Sequence, residues 1–226
     1  MAKTAAKRTN DPEGMRRRVL DVAAQAFQAA GYHATSMHDI VALAEVSGGA
    51  LHHHFPSKKA LALAVIQERI AQAIYATWIQ PVAGARSALD GVLAVLDAIA
   101  QGIDARGSVL GCPLNNIALE LAPDPDFRPA IQALFAEWTM ALERKLVADG
   151  TAAPGGEARD LALMVIASYS GAIGMAKAAQ ASEPLRACRR ELAKLAARAA
   201  SRTAPTAPGN TRRPGSAPRR APSRRS

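Results

Sequence analysis

Residues 35–58 read TSMHDIVALAEVSGGALHHHFPSK, and the order of caps and apolar positions within them decides the fold. Ser36 stands three residues before Asp39, a capping-box pair that marks a helix start, and Met37, Ile40, Val41 and Ala44 form a short apolar stripe behind it. Ala44-Glu45-Val46-Ser47 then allows only a tight turn. Ser47 caps a second short helix running through Leu51 to Phe55, Pro56 stops it, and Ser57 caps the next. Two short helices joined by a tight turn are the arrangement by which a helix-turn-helix lays its second helix in a DNA major groove.

Working outward, Val19, Val22, Ala23, Ala26, Phe27 and Ala30 recur at helical spacing, and Gly31 follows where a C-terminal cap belongs. This completes an expected three-helix head over residues 13–73, preceded by a flexible basic arm (1–12) with Lys3, Lys7 and Arg8. Downstream, Leu63, Ile66, Ile70, Ala73, Ile74 and Thr77 keep the helical period until Pro81. Leu89, Val92, Leu96 and Ile103 mark a fifth helix, Leu114, Ile117 and Leu121 a sixth, and Ile131, Leu134, Trp138, Leu142 and Leu146 a seventh. An eighth over about 157–180 is apolar on nearly every side, and a ninth over about 183–200 aligns Leu185, Cys188, Leu192 and Leu195. With no period-two alternation, the fold expected is all-α, nine helices in total, with a helical body over 74–201. A helix apolar all round needs cover on all sides, and a second copy of the chain supplies it. Its uncharged stretch, 161–176, falls short of the roughly 20 residues that cross a bilayer.

The formal net charge is +9, but Arg202, Arg212, Arg213, Arg219, Arg220, Arg224 and Arg225 stand in a tail without acids, and the rest of the chain carries only +2. That tail (202–226) has no apolar periodicity and is expected to be disordered, either as a solvated extension or as an arm whose arginines displace counterions from DNA phosphates. Two cysteines, Cys112 and Cys188, and no apolar leader point to a reducing cytoplasm, with the nucleoid as the place of work. No glycine-rich phosphate loop, nucleophile elbow, metal-ligand set or dinucleotide fingerprint occurs, so neither an enzyme nor a cofactor is expected.

Together with VLDVAAQAFQAAGYHATS before it and KKALALAVI after it, the 35–58 stretch resembles the TetR family of bacterial transcriptional regulators, over about residues 15–70. The resemblance implies that Thr35, Ser36, His52, His53 and Lys58 meet phosphates, while His38 and Ser47, Gly48, Gly49 and Ala50 lie nearest the base edges. Hydroxyls, imidazoles, lysine and helix N-termini are usual phosphate donors. Ser36 as a cap alone stays equally open. Gly48 and His52 depart from the family, where a larger side chain and tyrosine are common. Base readout is therefore expected to lean on His38, Ala50 and DNA shape. His52, His53 and His54 do not form a metal site, because neighbours on a helix point about 100° apart; His54 is expected to pack beside Phe55, with direct DNA contact as the other reading.

The segment GCPLNNIALELAPDPDFRPAIQALFAEW, 111–138, resembles the ligand-domain pattern of a TetR subgroup that includes regulators of reactive electrophiles or oxidants. Cys112 precedes Pro113 at a helix start, where the helix dipole can lower a thiol pKa; the other reading is a small buried apolar residue. The family also implies a cavity in the body, which nominates Trp78, Asn115, Asn116, Phe135, Trp138 and Tyr169 as lining or as core. The implied molecule is an Ω-shaped homodimer joined through its last two helices. It is expected to repress a palindromic operator and to leave it when an unknown small-molecule inducer binds or Cys112 is modified; an activator of the same family and a nonspecific DNA-coating protein are the alternative readings.

Overall fold

The computed structural model describes residues 11–203, and every regular element among them is a helix. The basic arm and the Arg/Pro-rich tail lie almost wholly outside the described residues. Nine helices follow one another: α1 (Pro12–Ala30), α2 (Met37–Ala44), α3 (Gly48–His54), α4 (58–84), α5 (Ala88–Arg106), α6 (Pro113–Leu121), α7 (Arg128–Ala148), α8 (Gly156–Ala179) and α9 (Glu183–Thr203).

The head forms because three short apolar faces converge. Val19, Leu20, Ala23 and Phe27 of α1, Ile40 and Ala44 of α2, and Leu51 of α3 are buried together with Phe55. Each start is capped as its side chains dictate: Asp11 accepts from Gly14 N (2.8 Å), Ser47 from Ala50 N (3.2 Å) and Ser57 from Ala60 N (3.0 Å). The α2–α3 turn closes on Glu45, which takes the left-handed conformation (φ 53°). Arg18 donates to the Ala44 carbonyl (3.3 Å) at the end of α2, where an unpaired acceptor would otherwise face water.

α4 carries the chain from head to body. It is one continuous helix in which two π-helical stretches, Val65–Ile70 and Tyr75–Ile79, alternate with α-helical ones. The helix continues past Pro81 to Gly84, beyond the end that the apolar period sets. Pro81 occupies the first turn of the closing α-helical stretch, after the wider π turn, where a missing N–H removes no bond the helix needs. In the body, α5 and α7 flank the lower half of α4, and α8 packs between α7 and α9. Arg186–Asp104 (2.5 Å) and Arg189–Asp97 (2.6 Å) tie α9 to α5.

α8 has 24 residues, longer than its uncharged stretch, and on length and composition alone it could cross a membrane. One face of it, with Ala162, Val165, Ile166, Tyr169, Ile173 and Ala176, is buried against the body, as in a core helix.

Gly31 ends α1 with φ +92°, ψ 160°, a region open to glycine almost alone, and a Cβ there would stand 2.6 Å from a Glu120 carboxylate oxygen. Gly31→Ala is expected to lower unfolding free energy by about 1–3 kcal/mol. Urea denaturation followed by far-UV circular dichroism reads this, and an unchanged midpoint would contradict the strain.

Candidate nucleic-acid interface and the junction behind it

The outer side of the head is built from the capped ends of α2 and α3. Ser36 accepts from Asp39 N (3.1 Å), and the Asp39 carboxylate accepts from Ser36 N (2.8 Å) and from the Ser36 hydroxyl (2.7 Å). These bonds, the side-chain one first, hold the Asp39 carboxyl below its ordinary range. His38, Ser47, Gly48, Gly49, His52 and His53 are exposed, and Ala50 is partly so. A Cβ built on Gly48 or Gly49 meets nothing within 4 Å, so the start of α3 presents bare backbone to its surroundings. His54 is half-buried, its ring 6.3 Å from that of Phe55.

Two residues expected at phosphates also make contacts within the head. Thr35 is only 4% exposed, and its hydroxyl donates to the Gly31 carbonyl (2.8 Å), so it closes the α1–α2 loop rather than facing outward. Lys58 lies over the Tyr32 ring (4.2 Å to the centroid) and reaches the His33 carbonyl at 3.4 Å, and desolvation lowers its pKa against the pull of Glu120 and Asp39. Thr35 is thus turned inward because the loop 31–35 folds back onto the head and takes up its hydroxyl, whereas the Lys58 contact with the His33 carbonyl is solvent-exposed.

Behind the interface, the head is held to its own first turn and to the body. Arg16 pairs with Glu68 of α4, with Nη1 donating to Oε2 at 2.8 Å, and its guanidinium lies 5.5 Å from the Phe55 ring. That hydrogen bond holds the Glu68 carboxyl below its ordinary range. Glu120 on α6 accepts from the backbone N–H groups of Tyr32 (3.2 Å) and His33 (3.1 Å), and Gln28 donates to the Gly111 carbonyl (2.9 Å). Lys59 pairs with Asp126, and Phe127 meets the Tyr32 ring edge-on at 5.5 Å. Sequence reasoning did not single out Glu120, Gln28 or Glu68. Their partners lie more than fifty residues away, and nothing local marks a carboxylate that will cap a distant loop.

In the body, Trp78, Trp138 and Tyr169 do come together, with centroids 4.5 Å (Trp78–Tyr169), 5.1 Å (Trp78–Trp138) and 5.8 Å (Trp138–Tyr169) apart. The three rings fill the space assigned to a cavity, and the void beside Trp78 and Trp138 is only about 10 Å³. Phe135 is a partly buried flank of the core. The two asparagines are also provided for: Asn115 accepts from the Ser170 hydroxyl (3.3 Å), and Asn116 donates to the Leu110 carbonyl (2.8 Å) and accepts from Lys177 (3.3 Å).

Cys112 caps α6 at 2% exposure, beside Tyr169. Burial pushes its thiol up, outweighing the Asn115 and Leu114 N–H groups and the Tyr169 hydroxyl that pull it down. The lowered pKa expected from the helix start is therefore overturned by desolvation, and the small buried residue is the role the structure bears out. Burial likewise raises the pKa of Tyr169.

A helix-turn-helix head continuous with a helical body defines a DNA-binding transcriptional regulator, a class without enzymatic activity. The tetR family of bacterial regulatory proteins matches over residues 19–65, and the C-terminal domain of LmrA/YxaF-like transcriptional regulators over 88–191. The chain belongs to the TetR family. It is 28% identical to the HTH-type transcriptional repressor DhaR of a Mycobacterium species, over 76% of this chain and 86% of that one. With the HTH-type transcriptional regulator LmrA of Bacillus subtilis it shares 26% identity, over 75% and 90% of the two chains. A TetR regulator from Chloroflexus aurantiacus has the same fold, with TM-score 0.68, 29% identity and coverage of 82% and 96%. NemR of E. coli shares the fold at TM-score 0.72 and 21% identity, over 80% and 96%.

Two outcomes follow. Because the folded Glu68 carboxyl titrates below its unfolded value, its stabilisation is whole above the ordinary carboxylate range and is lost as pH falls through the folded value. The urea midpoint should fall on acidification, and Glu68→Gln should start lower and flatten that fall; a parallel decline in both proteins would show that the pair contributes nothing. Cys112 should react with iodoacetamide at least about tenfold more slowly in the folded protein than in urea. Mass spectrometry of the labelled peptide reads this, and equal rates would contradict the burial.

Proposed function

We propose that this chain is a ligand-relieved repressor that binds a palindromic operator as a homodimer. The observation that carries the reading is the exposed, unobstructed start of α3, capped by Ser47 within a helix-turn-helix. In this reading α3 enters the major groove with Ser47, Gly48, Gly49 and Ala50 leading, His38 reads an adjacent edge, and Ser36, His52 and His53 meet phosphates. Backbone N–H groups at positions without side chains can approach the duplex closely, which leaves part of the discrimination to DNA shape.

Dimerisation through α8 and α9 is supported by the face of α8 turned away from the body. Leu163, Met164, Ala167, Gly171, Gly174 and Met175 are exposed there, an apolar row that a symmetry-related copy would cover. Repression is supported by the name of DhaR. The burial of Cys112 speaks for relief by a bound small molecule rather than by thiol modification. Differential binding to the two states of the dimer then lowers operator affinity. The working place is the nucleoid-associated cytoplasm.

Selection of duplexes from a random library at near-physiological salt should enrich an inverted repeat with half-sites about one helical turn apart. Tight, salt-sensitive binding without any motif would replace this reading by nonspecific coating of DNA. Gly48→Ala costs no packing and raises helix propensity by up to about 1 kcal/mol. Changed operator affinity or base preference in that variant is expected. Unchanged values would remove Gly48 from the interface.

A further inference from the structure

A cleft of about 490 Å³ opens where head meets body. Phe27 and Gln28 of α1 form one wall, Ile70 and Ala73 of α4 a second, and Leu110 with Ile117 of α6 a third. The volume lies within the range that encloses a drug-sized molecule. By contrast, the aromatic centre of the body holds almost no free space.

The cleft has a preformed mouth. Leu110 is 51% exposed, a large apolar side chain held in water, yet its segment is pinned from both sides. Asn116 donates to the Leu110 carbonyl from the body, and Gln28 donates to the next carbonyl, that of Gly111, from the head. The wall on α4 includes Val65 and Ile70, the two ends of the first π-helical stretch, a feature frequent at functional sites.

Charge narrows the occupant. Among the described residues Arg69 is the one charged residue lining the cleft, and its Nε already donates to Asp21 (2.6 Å) while Nη2 donates to the Arg17 carbonyl (3.3 Å). An anion would compete with Asp21, and a cation would find no acid among the described residues of the lining. Amides remain for hydrogen bonding: Gln25 at the rim is exposed, and the Gln28 side-chain oxygen accepts no hydrogen bond among the described residues. The chain's own tail is a poor match, since residues 204–226 hold no apolar side chain larger than proline.

We propose that this cleft binds an uncharged, mainly apolar small molecule with a hydrogen-bonding edge, and that its occupancy sets the angle between head and body. The molecule bridges α1, the π turn of α4 and α6, so it favours the one head position in which all three walls touch it. The consequence for DNA rests on the regulator reading above, whereas binding to the cleft does not.

N-phenyl-1-naphthylamine, uncharged and fluorescent on leaving water, is the probe, titrated into the full-length protein. Ala73→Phe fills the cleft, and Leu110→Asp places a charge at its mouth without touching the core. Ala98→Phe alters a separate groove between α4 and α5. Saturable binding is expected, weakened about tenfold or more by Ala73→Phe and by Leu110→Asp and left within about twofold by Ala98→Phe. Should Ala73→Phe fail to melt cooperatively, Leu110→Asp alone decides. Absent saturable binding, binding indifferent to Leu110→Asp, or binding lost only in Ala98→Phe overturns the site. With the selected operator present, probe and DNA should change each other's affinity by the same factor. No mutual effect overturns the coupling, while failure of the unliganded protein to bind any operator strikes the regulator reading and leaves the site standing.

Discussion

One helix runs through the whole of a continuous core, from head to body, and the rest of the molecule is arranged around that constraint. α4 buries Leu61, Val65 and Ile66 in the head and Ile74, Trp78 and Val82 in the body, all within one core, so neither part can shift along it without exposing apolar surface. Each buried side chain of this size is worth about 1.5–3 kcal/mol. A straight α-helix would fix the angular offset between the two sets. The two π-helical stretches change that offset locally, which is how Val65 and Trp78 both come to face inward.

Polar contacts then determine how the head is seated. Glu120 accepts two N–H groups from the loop after α1, and it meets them where Gly31 lacks a Cβ that would otherwise occupy the same space. Gln28 and Lys59 add contacts from the head to the α5–α6 and α6–α7 loops. These bonds are few and partly solvated, so they are modest in energy beside the shared helix. Apolar contacts of α1 and α4 with α6 and α7 complete the seating, so head and body share one continuous core across the junction.

Much of the head was legible in the residues. Ser36, Asp39, Ser47 and Ser57 cap helices at the positions their spacing implies, because capping is a contact between near neighbours in the chain. Roles set by distant partners were not. Thr35 read as a phosphate donor until the loop beside it folded back, and Cys112 read either as an activated thiol or as a small buried residue until burial was known. Trp78, Trp138 and Tyr169 read as cavity lining or as core, and the sequence does not tell a lined cavity from a filled one, since both need the same apolar residues.

By itself the sequence determined the all-α class, the order of nine helices and the helix-turn-helix, for these follow from periodicity and from caps that act over three or four residues. Tertiary structure alone decided where α4 widens, which polar groups hold the head to the body, and where space remains between them. The reason is physical. Free volume and buried hydrogen bonds are differences between packed surfaces of segments far apart in the chain, and no local pattern encodes how closely two such surfaces meet.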